Sequence, residues 1–430
     1  MSQNRRYTPK VDVDWWVIEV DTIKRFGLAI FILLLGVGAY FGVRFYLDYR
    51  ARVAGSTPDA TAGENEGPER TGYFIELEGD VKVKKKGSFE WVRADRKIGL
   101  NSGDLVKTGS RSSAHVLLFD GTEYTIKSES LTMIQSTVED PKSNVRNIAV
   151  RVSSGAIDLS TAKKNRPEST TELSSPTAST QLGEMTQAGV SYNPESLETS
   201  IQIYRGEGEV VSGGETLRLS SLQAVTVTRS QQIGPKVQIL PPPDLIDPAN
   251  LKQLAVADPL KELVLLSWRE VSGARYYHLL LSDTALFSEP AVDFKLSFRD
   301  TSVRVSGLAE RTYFWKVAAI DQDGREGQFS RVRRFRVITA NLQLKHFDVD
   351  PPTLSVDNPQ LSGNIALVRG KTEPGVLLTL NGEQVSVDND GGFFHPVILT
   401  HAGKNELVFV AQDTSGNESR LVKSVYAEFY

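Results

Sequence analysis

Polarity along the chain changes character three times. Residues 26–43 read Phe-Gly-Leu-Ala-Ile-Phe-Ile-Leu-Leu-Leu-Gly-Val-Gly-Ala-Tyr-Phe-Gly-Val without a single charge. A helix of that length can cross a hydrocarbon layer about 30 Å thick. Arg44 closes the run, placed for its side chain to snorkel to the headgroups, and Phe45, Tyr46 and Leu47 extend the apolar surface. A core helix of a soluble protein is the alternative, but such a helix rarely goes about five turns without a polar residue. Residues 26–47 are therefore expected to form a transmembrane helix. Tyr46-Leu47-Asp48-Tyr49-Arg50 offers no small-residue cleavage site, so the helix reads as an uncleaved anchor.

Residues 48–71 are rich in Ala, Gly, Ser, Thr, Pro and Glu and cannot bury enough surface to fold, which makes them a flexible tether. From Gly72 the pattern alternates. Tyr73, Ile75, Leu77, Val81 and Val83 fall on one face, with Glu76, Glu78, Asp80, Lys82 and Lys84 on the other, the signature of a half-buried strand. Residues 114–126 read as a hairpin around Asp120-Gly121, a pair that tolerates the positive φ of a type I′ turn. Short strands are predicted over 148–152, 156–159, 201–204, 209–211, 216–219 and 224–227, while the Ser/Thr-rich stretch 161–200 reads as loop or weak strand. Residues 239–248 carry a Pro-rich spacer and 249–257 a short helix. Beyond 263 the alternation resumes, with Asn381-Gly382 a strong hairpin turn.

Composition narrows the chemistry. The 430 residues leave room for roughly two to four domains. A net charge of −4 gives no sign of a nucleic-acid binder. The chain has no cysteine, which removes thiol catalysis, disulfides and cysteine-ligated metal sites. His115, His278, His346, His395 and His401 show no metal-protease spacing. Gly206-Glu207-Gly208 lacks the third glycine of a dinucleotide turn, and no Gly-x-Ser-x-Gly elbow occurs. Asp388-Asn389-Asp390-Gly391 has the opening of a calcium loop without its closing Glu and reads as a turn. No catalytic residue, cofactor or metal is predicted.

The charges flanking the apolar run bear on orientation. Arg5, Arg6, Lys10, Lys24 and Arg25 precede it and Arg44, Arg50 and Arg52 follow, a bias toward a cytoplasmic N-terminus. Trp15 and Trp16 stand in an apolar stretch that fits either an interfacial segment or a docking peptide. Gly38 and Gly42 share one helix face in a GxxxG spacing, which allows a second copy to approach and form a homodimer.

Gly79-x-Val81, Trp91, Gly103-Asp104, Thr108-Gly109 and Asp120-Gly121-Thr122 occur in series, followed by Ser154-Gly155-Ala156-Ile157-Asp158-Leu159 and Tyr204-Arg205-Gly206-Glu207-Gly208. Over about residues 72–233 this resembles the periplasmic domain of the FecR family. By their own chemistry these residues are turn formers, glycine for positive φ and carboxylate or hydroxyl for local amides. The resemblance implies a domain outside the cytoplasmic membrane. In the family's best-known members that domain relays a signal from an outer-membrane receptor to a cytoplasmic sigma factor through an N-terminal cytoplasmic domain of several dozen residues. Here about 25 residues precede the apolar run. Downstream, Leu266-Ser267-Trp268, Tyr277 and Tyr313-Phe314-Trp315-Lys316-Val317 resemble a fibronectin type III module, with Trp268 and Trp315 in its core. The Gly- and Asn-rich turns after residue 350 resemble a bacterial Ig-like module. Arg331, Arg333, Arg334 and Arg336 read as a basic strand near a sheet edge, suited to blocking edge pairing or to holding an anionic polymer.

The expected architecture is mainly β: a cytoplasmic tail (1–25), a transmembrane helix (26–47), a tether (48–71), a FecR-like domain (72–233), a Pro-rich linker (234–258), and two β-sandwich modules (259–340 and 350–430). The expected role is that of a single-pass protein of the bacterial inner membrane with its bulk in the periplasm. It would be a non-catalytic scaffold for an envelope protein or a cell-wall polymer such as peptidoglycan. The alternative is a transmembrane signal transducer of the FecR type, set against the short tail.

Overall fold

A computed structural model describes residues 72–427 apart from 140–142, 144, 165–166, 341–349, 363, 389, 400 and 414–415. The transmembrane run, the tether, Trp15, Trp16, Gly38 and Gly42 lie outside the described residues. Among those described every regular element is a strand, and no helix is long and apolar enough to cross a membrane.

The first module is built around one long strand, Arg146–Ser160. Its first half pairs antiparallel with Leu131–Glu139 and parallel with Thr170–Ser174. Its second half pairs antiparallel with Glu123–Ile126 and Gln187–Asn193. The change of partners falls at Gly155, whose φ is +79° and where a Cβ would lie 2.2 Å from Ser130 Oγ. Only glycine fits that approach. The strands predicted over 148–152 and 156–159 are thus one strand passing through this point.

The stretch 161–200 is strand-rich rather than loop: Thr170–Ser174, Ser179–Leu182 and Gln187–Asn193 all join the sheet. Its alternation is broken because hydroxylic Thr171, Thr180, Thr186 and Thr199 share the inward positions with Leu173, Leu182, Val190 and Tyr192. Buried Thr199 lies 2.7 Å from Ser175 and 2.6 Å from Thr177 between hydroxyl oxygens, and Ser212 donates to the Thr177 carbonyl at 2.6 Å. Such groups bury without penalty once bonded. The apolar core runs from Tyr73 to Val227 as one cluster.

The stretch 234–258 is not a free spacer. Val237–Gln238 pairs with the first module, Leu245–Asp247 with the second module's strand Val264–Trp268, and Lys252–Val256 runs parallel to Arg333–Thr339. The helix expected over 249–257 is therefore a strand, because its backbone groups are taken up by that sheet.

In the second module Trp268 and Trp315 are fully buried, and Trp268 meets Tyr277 edge-on at 5.5 Å. The Tyr277 hydroxyl accepts from Val271 N at 2.8 Å, so this bulky polar side chain is satisfied. Arg333–Thr339 is no edge strand: Lys252–Val256 covers one side and Thr312–Ile320 the other. The third module packs two sheets around Phe393, Phe409 and Leu378. All described residues belong to one compact unit.

Candidate functional site

The motif residues hold turns. Asp104 is buried and accepts from Lys86 N at 2.9 Å and Asn101 N at 2.8 Å, with Lys85 paired to it. Buried Thr108 donates to Lys127 O at 2.6 Å and accepts from Ser130 N at 3.0 Å. Gly109 N donates to Asp80 O at 2.9 Å. Gly79 and Gly103 take positive φ in their turns, and Val81 lies in the core. Trp91 is partly exposed, with the Lys84 ammonium 5.5 Å from its ring. Asp120 accepts from Thr122 N and Oγ1, both at 2.8 Å. Burial pushes its carboxyl up, offset in part by those two bonds. Only Gly121 of the Asp120-Gly121 pair has positive φ, so the turn is not type I′. Gly121 N donates to Leu118 O at 3.0 Å and Leu118 N to Thr122 O at 2.8 Å, a longer hairpin loop.

The face assignment for the first strand changes. A bulge in Gly72–Glu78 shifts its register between Phe74 and Glu76, so Phe74 enters the core and Ile75 does not. Glu76 and Glu78, assigned to solvent by simple alternation, instead face the other modules. Glu78 is buried and accepts from Leu286 N at 2.7 Å, Ser288 N at 3.1 Å and Ser288 Oγ at 2.5 Å. Arg111 pairs with Glu289 at 2.5 Å, and Gln328 donates to Gln187 at 3.1 Å.

Beside this seam lies a pocket of about 380 Å³ holding a charged cluster. Lys127 pairs with Asp158 at 2.9 Å; burial pushes its ammonium down, but Asp158, by charge and hydrogen bond, raises it on balance. The Lys316 ammonium lies 4.3 Å from the Phe287 ring and 4.8 Å from Phe329. Burial and then the Lys127 charge bring it down to about 8, against Asp158, Glu326 and Glu78. His278 sits between Glu326 (2.5 Å) and Asp293 (2.8 Å); burial lowers its imidazole, and the two carboxylates outweigh that and raise it.

The contact with the third module is of another kind. Ile365 is fully buried in the first module's core, and Leu367 and Ile398 pack against it. Asn364 donates to Phe119 O at 2.7 Å. Nearby, Ser386 donates to Glu76 at 3.2 Å and Arg96 pairs with Asp388. Burial, then the Glu78 charge, push the Glu76 carboxyl up, while Ser386, His115 and Arg96 pull it back in part. His395 is buried; desolvation brings it down to about 4, with the nearby His115 and Arg96 charges adding and Glu123 opposing.

All three modules meet at a cleft of about 1120 Å³. The first contributes the strand from Ile75 to Glu78 with Arg96 and His115, the second Phe314, Arg334 and Arg336, the third Val376, Gln384 and His395. Residues 104–208 match the family model for FecR protein. The first module is a FecR domain. Residues 352–429 match glucodextranase, domain B, which gives the third module its Ig-like relatives. A curated protein of Treponema pallidum (strain Nichols), itself uncharacterized, is 44% identical over 62 residues, which make up 14% of this chain and 9% of that protein's length. Among solved structures, a proposed anti-sigma factor from Parabacteroides distasonis ATCC 8503 is 14% identical over 31% of this chain and 59% of its own, at a TM-score of 0.27. The fibronectin(III)-like modules of Clostridium thermocellum CbhA are 15% identical over 43% of this chain and 94% of theirs, at 0.18. The chain spans 9% of that curated relative and 59% of the Parabacteroides structure.

The motif that marks the FecR domain and the cleft that joins its neighbours overlap little: Gly121 lines the cleft, while Gly79, Trp91, Asp104 and Thr108 do not. Of the cleft residues, sequence reasoning singled out the arginines Arg334 and Arg336 but missed Glu76, Glu78, Arg96 and His395. Two acidic residues in an otherwise apolar strand, Glu76 and Glu78, were the available signal. Among the described residues no group of three or more His, Asp or Glu is placed to hold a metal.

Proposed function

We propose that the protein is a non-catalytic regulator of the FecR type, anchored in the bacterial cytoplasmic membrane by residues 26–47, with its β modules outside. There they take up a partner protein or a cell-wall polymer. One observation carries this reading: the strand Gly72–Glu78, which continues directly from residues 1–71, forms part of the cleft wall. A ligand lodged there touches the segment joined to the membrane anchor. The tether keeps neighbouring anchors within reach, so a polymer holding several copies raises their effective concentration. Gly38 and Gly42 give the anchors a face on which to pair.

The test replaces Gly38 and Gly42 with Leu and reads two things in living cells: crosslinking between anchors and the transcript profile. The chain has no cysteine, so one introduced Cys beside the helix reports pairing without background. A regulator loses pairing and shows the transcript profile of the deletion strain, while the periplasmic part still holds its partner. A transcript profile equal to wild type with pairing abolished overturns the relay and leaves a scaffold.

A further inference from the structure

The cleft has an unevenly used set of charges. Its carboxylates accept hydrogen bonds: Glu78 from three donors, Glu76 from Ser386, Glu123 from His115 at 3.1 Å, Asp283 from Arg311 at 2.5 Å, Asp388 from Arg96, and Asp413 from Asn417 N at 2.9 Å and Nδ2 at 2.8 Å. Only exposed Glu383 has no such bond among the described residues. Two guanidinium groups on the floor are in the opposite condition. Arg334 has no carboxylate partner among the described residues, and burial pushes its guanidinium down with nothing to offset the cost. Arg336 donates Nη1 to Gly375 O at 3.3 Å, but its buried Nε has no acceptor. A buried donor without a partner is costly, and arginine keeps its charge.

Strand register explains why these two groups stand together. Phe335 and Val337 point into the second module's core, so Arg334 and Arg336 share the opposite face. Opposite them on Thr312–Ile320 are Phe314 and Thr312, and alongside Arg336 on Lys252–Val256 is Gln253. All five line the cleft. The floor thus combines two forked cations, an aromatic ring and amide and hydroxyl groups.

We propose that this floor is an anion site for an acidic polysaccharide. The guanidinium groups take a carboxylate or phosphate, Phe314 stacks on a sugar face, and Gln253 and Thr312 hydrogen-bond its hydroxyls. A cleft of about 1120 Å³ exceeds the usual pocket for a single small molecule, which suits a segment of chain rather than a lone ion. The site rests on the cleft being where the regulator takes up its ligand.

The test measures binding of fluorescent oligogalacturonate, poly(glycerol phosphate) and neutral maltotetraose to the full chain in detergent micelles. Oligogalacturonate is expected to bind, with binding weakening as NaCl rises from about 50 to about 500 mM. Galacturonate binding assigns a sugar carboxylate; binding of the phosphate chain alone, which has no sugar ring for Phe314, overturns the polysaccharide. R334Q is expected to weaken binding by about tenfold, and R334K to recover only part of it, because lysine lacks the fork. R331Q, exposed and just ahead of the strand, is expected to bind as wild type. Hydrogen exchange on the wild-type chain guards against a folding defect: ligand should protect residues 251–253 and 333–337. Equal binding of maltotetraose, equal loss in R331Q and R334Q, or no binding of either acidic chain overturns the site. Because no cellular output is read, absent binding with an intact anchor-dependent transcript response refutes this ligand and spares the relay. Binding without that response does the reverse.

Discussion

The FecR domain holds its two neighbours with different shares of polar and apolar contact. Toward the second module the seam is polar, with Glu78 capping the 286–288 backbone, Arg111 on Glu289, and Lys316, beside the Phe287 and Phe329 rings, in one pocket with the Lys127–Asp158 pair. Toward the Ig-like module the seam is anchored by Ile365, a side chain shared with the FecR core. Apolar burial is indifferent to pH and salt, while ion pairs at partly exposed sites respond to both. The Ig-like seam adds the Arg96–Asp388 pair and the Ser386–Glu76 bond to its apolar anchor, so the two seams differ in how much rests on apolar burial, and the cleft lies where they meet.

The largest effect is expected from Ile365→Ala. Removing a fully buried branched side chain costs about 2–5 kcal/mol, read as a lower denaturant midpoint. A cost near zero would show that the Ig-like module does not depend on the FecR core, and the contrast between the seams would fail.

Acid sharpens the comparison next. His395 is held down to about 4 against about 6.5 in the unfolded chain, so between those values the unfolded state binds the extra proton. Stability is therefore lost as pH falls through that window, by about 2 kcal/mol between about pH 6.5 and 5. His278 has the opposite sign. Its raised value gives stability that is present below about 6.5 and lost as pH rises through the folded value. Melting temperatures of wild type and His395→Asn at pH 7 and 5 should differ in slope, and parallel slopes would remove His395 from the account.

The smallest effect is expected from Glu78→Gln, which keeps one acceptor and loses the charge. The polar seam should loosen by about 1 kcal/mol, seen as faster exchange of the Leu286 and Ser288 amides with the global melt little changed. If the Ig-like seam loosens equally, the two contacts are not independent.

Local turn chemistry was legible where the residue pair dictates φ by itself. Asn381 and Gly382 both take positive φ, 52° and 87°, and join Leu377–Leu380 to Glu383–Val385. Asp120-Gly121 looked equivalent and is not, since its loop is set by hydrogen bonds with Leu118 and Thr122. Trp268 and Trp315 were readable as core through the resemblance to a fibronectin type III module, and both are buried. The stretch 161–200 was not, because buried hydroxyls such as Thr171, Thr180 and Thr199 interrupt the apolar positions Leu173, Leu182 and Val190 that a period-two pattern needs.

By itself the sequence determined the mainly β class, the FecR motif, and the two downstream modules, because period-two burial and positive-φ turns are local properties. The tertiary structure decided which charges matter. A single bulge after Phe74 sends Glu76 and Glu78 to the module seams, and two neighbouring strands turn an apparent basic edge into the floor of a cleft. Both depend on partners far away in sequence, which no local pattern encodes.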